Sequence, residues 1–254
     1  MPITVSAGWV VGMLLAVVRA GAFAAASPVL SNVMPKAGRG AFAIAIALAL
    51  ARPVAQVPDI PGLVAAGAVN VGVGLVLAFF SGLPFYAFDV AGNIVELGAG
   101  LAAAQILDPS GDHTSGVLVN MFNMTALAIL LAVGGDRVMV RGLALSLQAV
   151  PLQGLARMPS GLATMLMDSV GALMVAGVAL AAPVLAAIFL ADLALAALAR
   201  FAPQTNAFVI GLPLKLLITL LLLAAIAAIF PGVVQQVLGA IAHGMSEVVR
   251  GLTP

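Results

Sequence analysis

The chain has 254 residues, of which 63% are hydrophobic and only 7% are charged. So apolar a composition excludes an ordinary soluble domain and predicts a membrane protein, or helices built to be buried on every side. Ten basic and nine acidic residues give a net charge of +1 without a basic run, which argues against nucleic acid as a partner. With no cysteine and only two histidines, disulfides, thiol chemistry and an ordinary transition-metal site are excluded, and no cofactor is expected.

The first part of the chain predicts two hydrophobic helices separated by a proline-containing connection. A long apolar run suits a helix over residues 5–26. Pro28 and Pro35 then predict an irregular connection, because proline lacks a backbone donor and clashes with the preceding turn. The second run, residues 40–51, is short for a span, since a bilayer requires about 20 residues.

Two more helices are expected next, over residues 63–88 and 91–107, and the polar segment 108–116 follows them. Glu96 lies near the start of the second of these helices. It is either a solvated acid near a loop or a buried functional group, and the sequence favours neither. His113 in the polar segment is interpreted as a solvated loop residue rather than a catalytic one.

The second half of the chain predicts helices over residues 118–133 and 138–150, and then a helical stretch over 161–200 with Pro183 inside. This stretch is one kinked helix or two consecutive ones. The segment 233–249 is amphipathic and is expected at an interface or against a partner. The fold class is therefore all-α, a polytopic membrane protein of about six to eight kinked hydrophobic helices.

Residues 190–217 predict a helical hairpin around a polar corner. Asp192 lies on the ascending limb and Lys215 on the descending one, about twelve and ten residues from the turn, so at about 1.5 Å per residue their depths are nearly equal. An isolated charge in hydrocarbon is costly, so we expect the two to form a buried ion pair across the hairpin; alternatively, each snorkels or meets a different subunit. The corner residues are Arg200, Pro203, Gln204 and Asn206, and the chain is expected to turn back through Gly211 and Pro213.

The sequence contains no nucleotide-binding loop, zinc-ligand spacing, nucleophile elbow or paired carboxylates, so an enzyme is not expected. A small-solute secondary transporter or channel is the main alternative, and it would predict an internal repeat with convergent buried polar residues. A membrane-embedded enzyme such as a lipid transferase would need clustered His, Asp or Glu side chains. The polar residues of this chain are scattered instead.

The segment LADLALAALARFAPQTNAFVIGLPLK resembles the signature of the flagellar biosynthetic protein FliR family, which includes the matching component of virulence type III injectisomes. Other positions also resemble the family, and the resemblance covers essentially the whole chain. Asn93 stands where the family often has an acid, and residues 135–137 replace a Gly-His-His-like corner. The other positions that resemble the family are Arg19, Pro28, Pro35, Lys36, Arg39, Gly92, Gly100, Asp108, Pro109 and Pro151.

The resemblance implies a nonenzymatic component of the flagellar type III protein export gate, in the inner membrane at the bacterial flagellum basal body. One copy would join several copies of FliP and FliQ to form the channel that secretes unfolded flagellar subunits. FlhB would wrap the closed entrance, the FlhA export ring would be a further partner, and membrane lipid would surround the assembly. Within a single membrane domain, residues 1–254, residues 1–160 would be FliP-like and residues 161–254 would form a FliQ-like hairpin.

The resemblance also implies roles for two groups of residues. The loop over residues 101–115 would act as a plug inside the closed channel, and the hairpin corner would contact neighbouring subunits. So much apolar helix surface further predicts that the chain is poorly stable without partners. The plug residues are Leu101, Asp108, Pro109, Ser110 and Gly111, and the contact residues are Arg200, Pro203, Gln204, Asn206, Gly211 and Pro213.

Overall fold

The structure is a computed structural model that describes residues 6–54, 58–101, 116–153, 161–202, 204, 206–226, 232, 239, 243–247 and 249–250. All regular secondary structure within these residues is helical. The prediction of an all-α membrane protein is confirmed. The helices are α1 Ala7–Ala26, α2 Pro28–Val33, α3 Lys36–Leu50, α4 Ile60–Gly98, α5 Val117–Ala132, α6 Gly135–Ala149, α7 Leu162–Phe201 and α8 Ala207–Ile226.

The predicted irregular connection after α1 is wrong, because a short helix occupies most of it. Pro28 is the first residue of α2, where the absence of an N–H costs nothing and the fixed φ suits a helix. Pro35 likewise precedes the first residue of α3, which begins at Lys36 rather than at residue 40. Both prolines therefore start helices instead of preventing them.

Helix α4 replaces the two helices that the sequence predicted over residues 63–88 and 91–107. It runs for 39 residues from Ile60 through Pro84 to Gly98. Gly100 ends it with a φ of 80°, and the N–H groups of Gly100 and Leu101 donate to the carbonyls of Leu97 and Glu96. These two hydrogen bonds form a Schellman motif, which explains why the helix stops before residue 107.

The stretch around Pro183 is a single helix, α7, of 40 residues. At about 1.5 Å per residue, α4 and α7 are each roughly 60 Å long, which is about twice the hydrocarbon thickness of a bilayer. By length and composition, α1, α4 and α7 are each able to cross a membrane. Helices α5 and α6 meet at Gly134, which also has a φ of 80°, and if the two are counted together they make one further candidate span.

The chain divides into two compact units. The first unit comprises Met1–Leu83, Gly134–Met167 and Gln236–Pro254, and the second comprises Pro84–Val133 and Asp168–Gln235. The predicted boundary at residue 160 separates a FliP-like part from a FliQ-like part, whereas the two units are defined by their internal contacts. The boundary therefore stays a prediction.

In the first unit, α1 and α3 form an antiparallel pair. The N–H of Val54, just beyond α3, donates to the carbonyl of Gly8 at 3.0 Å. A Cβ on Gly12 would lie 2.1 Å from the carbonyl oxygen of Arg52, and one on Gly74 would lie 2.5 Å from that of Arg19. Glycine therefore allows the segment that follows α3, and helix α4, to approach α1 closely, as is common in membrane helices.

In the second unit, aromatic and small residues join the helices. The ring centroids of Phe88 in α4 and Phe122 in α5 are 6.2 Å apart. A Cβ on Gly92 would lie 2.8 Å from the Cα of Val119, and one on Gly177 would lie 2.6 Å from Val90. The backbone of α4 thus packs against α5 on one side and against α7 on another.

Candidate functional site

The hairpin between α7 and α8 carries the charged pair that the sequence singled out. Lys215 Nζ lies 2.5 Å from Asp192 Oδ1, so the structure brings the two side chains together. The side chains are 20% and 47% exposed, respectively, and the pair is half-exposed on this chain rather than buried. Gly211 allows the limbs to approach, since a Cβ there would lie 3.0 Å from a methyl group of Leu195.

The surface around this ion pair is apolar. Large side chains on both limbs are exposed, among them Phe189 and Leu193 on α7 and Leu217 on α8. Charges in an apolar environment are tolerated only when paired, because an unpaired one bears the full desolvation penalty. The pairing of Asp192 with Lys215 therefore allows this surface to lie in the membrane or against another apolar chain.

The polar corner of the hairpin lies between the end of α7 and the start of α8. Asn206 caps α8, because its Oδ1 and its carbonyl oxygen both accept from the N–H of Val209. Arg200 is exposed in the last turn of α7, where a cation interacts favourably with the helix dipole. Gln204 is also exposed, and Pro203 lies outside the described residues.

Gly211 and Pro213 do not form part of the corner. Helix α8 begins at Ala207, so both residues lie inside the helix. The sequence predicted that the turn continues through these two residues, because glycine and proline are common in turns. Proline is tolerated within apolar helices because neighbouring helices and small local adjustments satisfy the freed backbone groups.

Of the predicted plug residues, the structure describes Leu101 alone, which is half-buried directly after the Schellman glycine. The other four, Asp108, Pro109, Ser110 and Gly111, lie outside the described residues, as does His113.

Glu96 is a buried acid that joins α4 to α5. It is 5% exposed, and its carboxylate accepts from the N–H groups of Leu118 and Val119 at 3.1 and 3.3 Å. These donors lie in the first turn of α5, the positive end of the helix dipole. A Cβ on Gly116 would lie 1.9 Å from the carboxylate oxygens, so a larger residue there would displace the carboxylate. Of the two interpretations of Glu96, the buried one is correct.

A second polar contact joins the same two helices. The side-chain amide of Asn123 in α5 donates to the carboxylate of Asp89, two turns before Glu96 in α4. Sequence reasoning missed both contacts. The available signal was Gly116, since a helix with glycine at its N-cap has no side-chain cap of its own and needs an acceptor from elsewhere.

Arg19 is the centre of a buried polar cluster in the first unit. Its side chain is 0% exposed, its Nε donates to Asn70 Oδ1 at 2.8 Å, and its Nη1 donates to the carbonyls of Ser146 and Val150 at 2.6 and 3.3 Å. The Asn70 amide in turn donates to the carbonyls of Ala66 and Leu152. Carbonyls at the end of α6 thus compensate the cation, which joins α1, α4 and α6.

The polar groups described above each join two or three helices. Among the described residues, no three His, Cys, Asp or Glu side chains lie close enough to hold a metal ion. His243, the histidine that the structure describes, is exposed. The candidate site is therefore a set of helix junctions: the Asp192–Lys215 pair, the Glu96 contact with α5 and the Arg19 cluster.

A model of the family described as bacterial export proteins, family 1, matches residues 10–241. The flagellar biosynthetic protein FliR of Bacillus subtilis is 29% identical over 169 residues, which cover 65% of this chain and 64% of that protein. The match thus spans less than two thirds of the length of that relative. FliR of Escherichia coli is 28% identical over 180 residues, or 71% of this chain and 69% of that protein. The surface presentation of antigens protein SpaR of Salmonella typhimurium is 31% identical over 193 residues, or 73% and 70%.

Proposed function

The chain belongs to the bacterial export proteins, family 1, and we propose that it is a component of the type III protein export gate in the inner membrane. The observation that carries this proposal is the family match over residues 10–241 of a chain whose described residues form helices, three of them candidate membrane spans. One relative is named for flagellar biosynthesis and another for the surface presentation of antigens. Both names support a role in protein secretion. We propose the flagellar branch, at the basal body, on the likeness to FliR; the injectisome branch is the alternative, since SpaR also matches.

In this proposal the chain assembles with FliP and FliQ into the channel that passes unfolded flagellar subunits. Helices α4 and α7 support a large assembly, because each is roughly twice as long as a bilayer requires and contains an apolar segment of spanning length. Such helices need protein cover along the part that lies outside the hydrocarbon. Residues 1–160 would take a FliP-like place in this assembly and residues 161–254 a FliQ-like place.

The hairpin of α7 and α8 would contact neighbouring subunits. Its ion pair is half-exposed within an apolar surface, and its corner presents the polar side chains of Arg200, Gln204 and Asn206. Exposed amide and guanidinium groups are able to hydrogen-bond to equivalent corners of adjacent chains. We place this corner at the cytoplasmic entrance, where FlhB would wrap the closed gate and the FlhA export ring would deliver substrates.

The loop over residues 101–115 would plug the closed channel. Support comes from the residues on either side of it, since the Schellman motif at Gly100 ends α4 and the Glu96 carboxylate holds the start of α5. Glu96 thus fixes both ends of this loop, because it lies in the last turn of α4 and binds the first turn of α5. A plug joined at both ends is able to yield without leaving the channel.

The proposal is tested by extraction of the tagged protein from its native membrane in mild detergent, followed by native mass spectrometry. We expect one copy of this chain with several copies of two smaller helical proteins, FliP and FliQ. A matched control carries the tag on an unrelated polytopic protein of the same membrane. Recovery of the chain as a lone monomer or a homodimer would contradict the export-gate proposal and favour the small-solute transporter or channel instead.

A further inference from the structure

A groove of 370 Å³ opens on the first unit between α1 and α3. Its walls are Gly21 and Ala25 near the end of α1, and Lys36, Arg39 and Gly40 at the start of α3. Two cations and three small residues thus surround one opening. None of these residues belongs to the junctions described above.

The charge in this groove is not compensated by the described residues. No carboxylate among them lies within ion-pair distance of Lys36 or Arg39. The cations also lie at the N-terminus of a 15-residue helix, whose dipole is positive there, and Pro35 at the N-cap offers no side-chain acceptor. Basic residues in a first turn oppose the dipole, so this arrangement favours a bound anion.

The guanidinium of Arg39 has an N–H donor that meets no acceptor among the described residues. Its Nη1 donates to the carbonyl of Ala25 in a long hydrogen bond of 3.4 Å. Its Nε is buried and has no hydrogen-bond partner within the described part of the chain. A buried donor without an acceptor is costly, and the fork of an arginine matches the oxygens of a phosphate.

The two glycines of the groove are not explained by packing within the chain. A Cβ on Gly21 or Gly40 would meet no atom within 4 Å, whereas one on Gly12 in α1 would clash with a backbone carbonyl. Glycine destabilises a helix interior relative to alanine, so its presence at an open position calls for another reason. Space for a ligand that lies against the backbone is such a reason.

The position of the groove fits a lipid headgroup. Helix α1 is a candidate span that ends at Ala26, so Gly21 and Ala25 lie in its last two turns and would reach the membrane interface when α1 spans the bilayer. Cations at that level attract anionic lipids. The groove therefore faces phosphate groups whenever α1 spans the bilayer.

Apolar side chains continue from the groove along both helices. Ile44 and Leu48 lie one and two turns beyond Gly40 on the same face of α3, and each is about half exposed. Leu14 and Val10 on α1 are also about half exposed, and they lead away from Gly21 in the same direction because the helices are antiparallel. From this juxtaposition of cations, open glycines and apolar stripes, we propose that the groove binds an anionic phospholipid, with its phosphate on Lys36 and Arg39 and its acyl chains along α1 and α3.

The test is native mass spectrometry of the full chain, with any partners that accompany it, after titration with phosphatidylglycerol, phosphatidylcholine or inorganic phosphate. We expect one phosphatidylglycerol to be retained per chain in preference to phosphatidylcholine. A basic residue near an anionic surface contributes about fivefold in affinity, so the double variant Lys36→Gln/Arg39→Gln should bind about thirtyfold more weakly. The matched control is Arg137→Gln/Arg141→Gln, which removes two exposed cations from one face of α6 in the same unit.

A second variant tests the shape of the groove without a change in charge. Gly40→Leu fills the opening and meets no atom of the chain at its Cβ, so we expect it to fold and to lose the bound lipid. If the Arg137/Arg141 control lost as much phosphatidylglycerol, the lipid would be attracted to basic surface residues in general. That result would overturn the site. Equal retention of phosphatidylcholine, or displacement by inorganic phosphate at equal concentration, would overturn an anionic lipid as the occupant.

The absence of cysteine allows the occupant to be identified directly. A single Gly40→Cys substitution accepts a photo-crosslinker in the membrane-embedded protein. A crosslink to phospholipid supports the proposal, whereas a crosslink to a protein chain, or none, overturns it. The crosslink does not depend on export, because it forms in the membrane before the protein is extracted into detergent.

Discussion

At the scale of single residues, Lys215 and Asp192 form an ion pair within an apolar surface. We predict that Lys215→Ala and Asp192→Ala each reduce the amount of gate complex recovered from membranes several-fold. The double variant should lose less than the sum of the two, with a coupling energy of about 1–2 kcal/mol, because no unpaired charge remains. Native gels of membrane extracts provide the measurement.

The matched control for this pair is Arg137→Ala, which removes an exposed cation from α6. It should leave the amount of complex near that of the unchanged protein. The exchange Asp192→Lys/Lys215→Asp retains a pair and should restore assembly relative to either single alanine variant. Additive losses in the double variant would show that the two charges act separately.

Glu96 belongs to the same scale, since one carboxylate accepts from two N–H groups of α5. We predict that Glu96→Ala lowers the free energy of unfolding by about 2 kcal/mol, because the buried donors lose a charged acceptor. Glu96→Gln should lose less, since its amide oxygen still accepts. Gly116→Ala should also destabilise, because its methyl group would displace the carboxylate.

Thermal unfolding of the purified assembly in detergent, followed by circular dichroism, measures these changes. Glu247→Ala is the control, since Glu247 is an exposed acid in the first unit. If Glu247→Ala lowered the stability as much as Glu96→Ala, the contact of Glu96 with α5 would not explain the loss.

At the scale of elements, glycines decide how closely the helices pack. Gly74 of α4 lies against the backbone of α1, and a Cβ there would come within 2.5 Å of a carbonyl oxygen. We predict that Gly74→Ala destabilises the first unit by about 1–3 kcal/mol, because two backbones would have to separate. Thermal unfolding again gives the measurement.

Gly72→Ala is a closely matched control for this prediction, because it lies two residues away in α4 and its Cβ would meet no atom within 4 Å. It should be neutral or stabilising by up to about 1 kcal/mol, since alanine is the better helix former. Equal effects at both positions would mean that glycine acts through helix propensity and not through the α1–α4 contact.

At the scale of the whole molecule, the exposed surface is strongly apolar. Leu97, Phe189, Leu190 and Phe201 are each more than 60% exposed. We predict that the chain produced without FliP and FliQ aggregates in detergent or unfolds without cooperativity. Co-production with both partners should yield a monodisperse complex, measured by size-exclusion chromatography with light scattering. A monodisperse monomer with cooperative unfolding would contradict this prediction.

The helical class and the ends of three helices followed from local patterns of residues. The predicted helices over residues 5–26, 118–133 and 138–150 agree with α1, α5 and α6 within about two to three residues, which is the ordinary uncertainty of helix ends. The family was likewise recognisable, because its signature is a continuous segment. Local composition and short-range spacing suffice for such features, since each depends on residues within a few turns.

The sequence by itself determined an all-α membrane protein, its main apolar helices and its family. Only the tertiary structure decided that α4 and α7 continue through their prolines, that Glu96 holds the start of α5, and that Arg19 meets Asn70 and the end of α6. Arg19 and Asn70 are 51 residues apart in the chain, and no local pattern indicates their contact. The physical reason is that buried polar groups take whichever partner the packing of helices brings within hydrogen-bond distance.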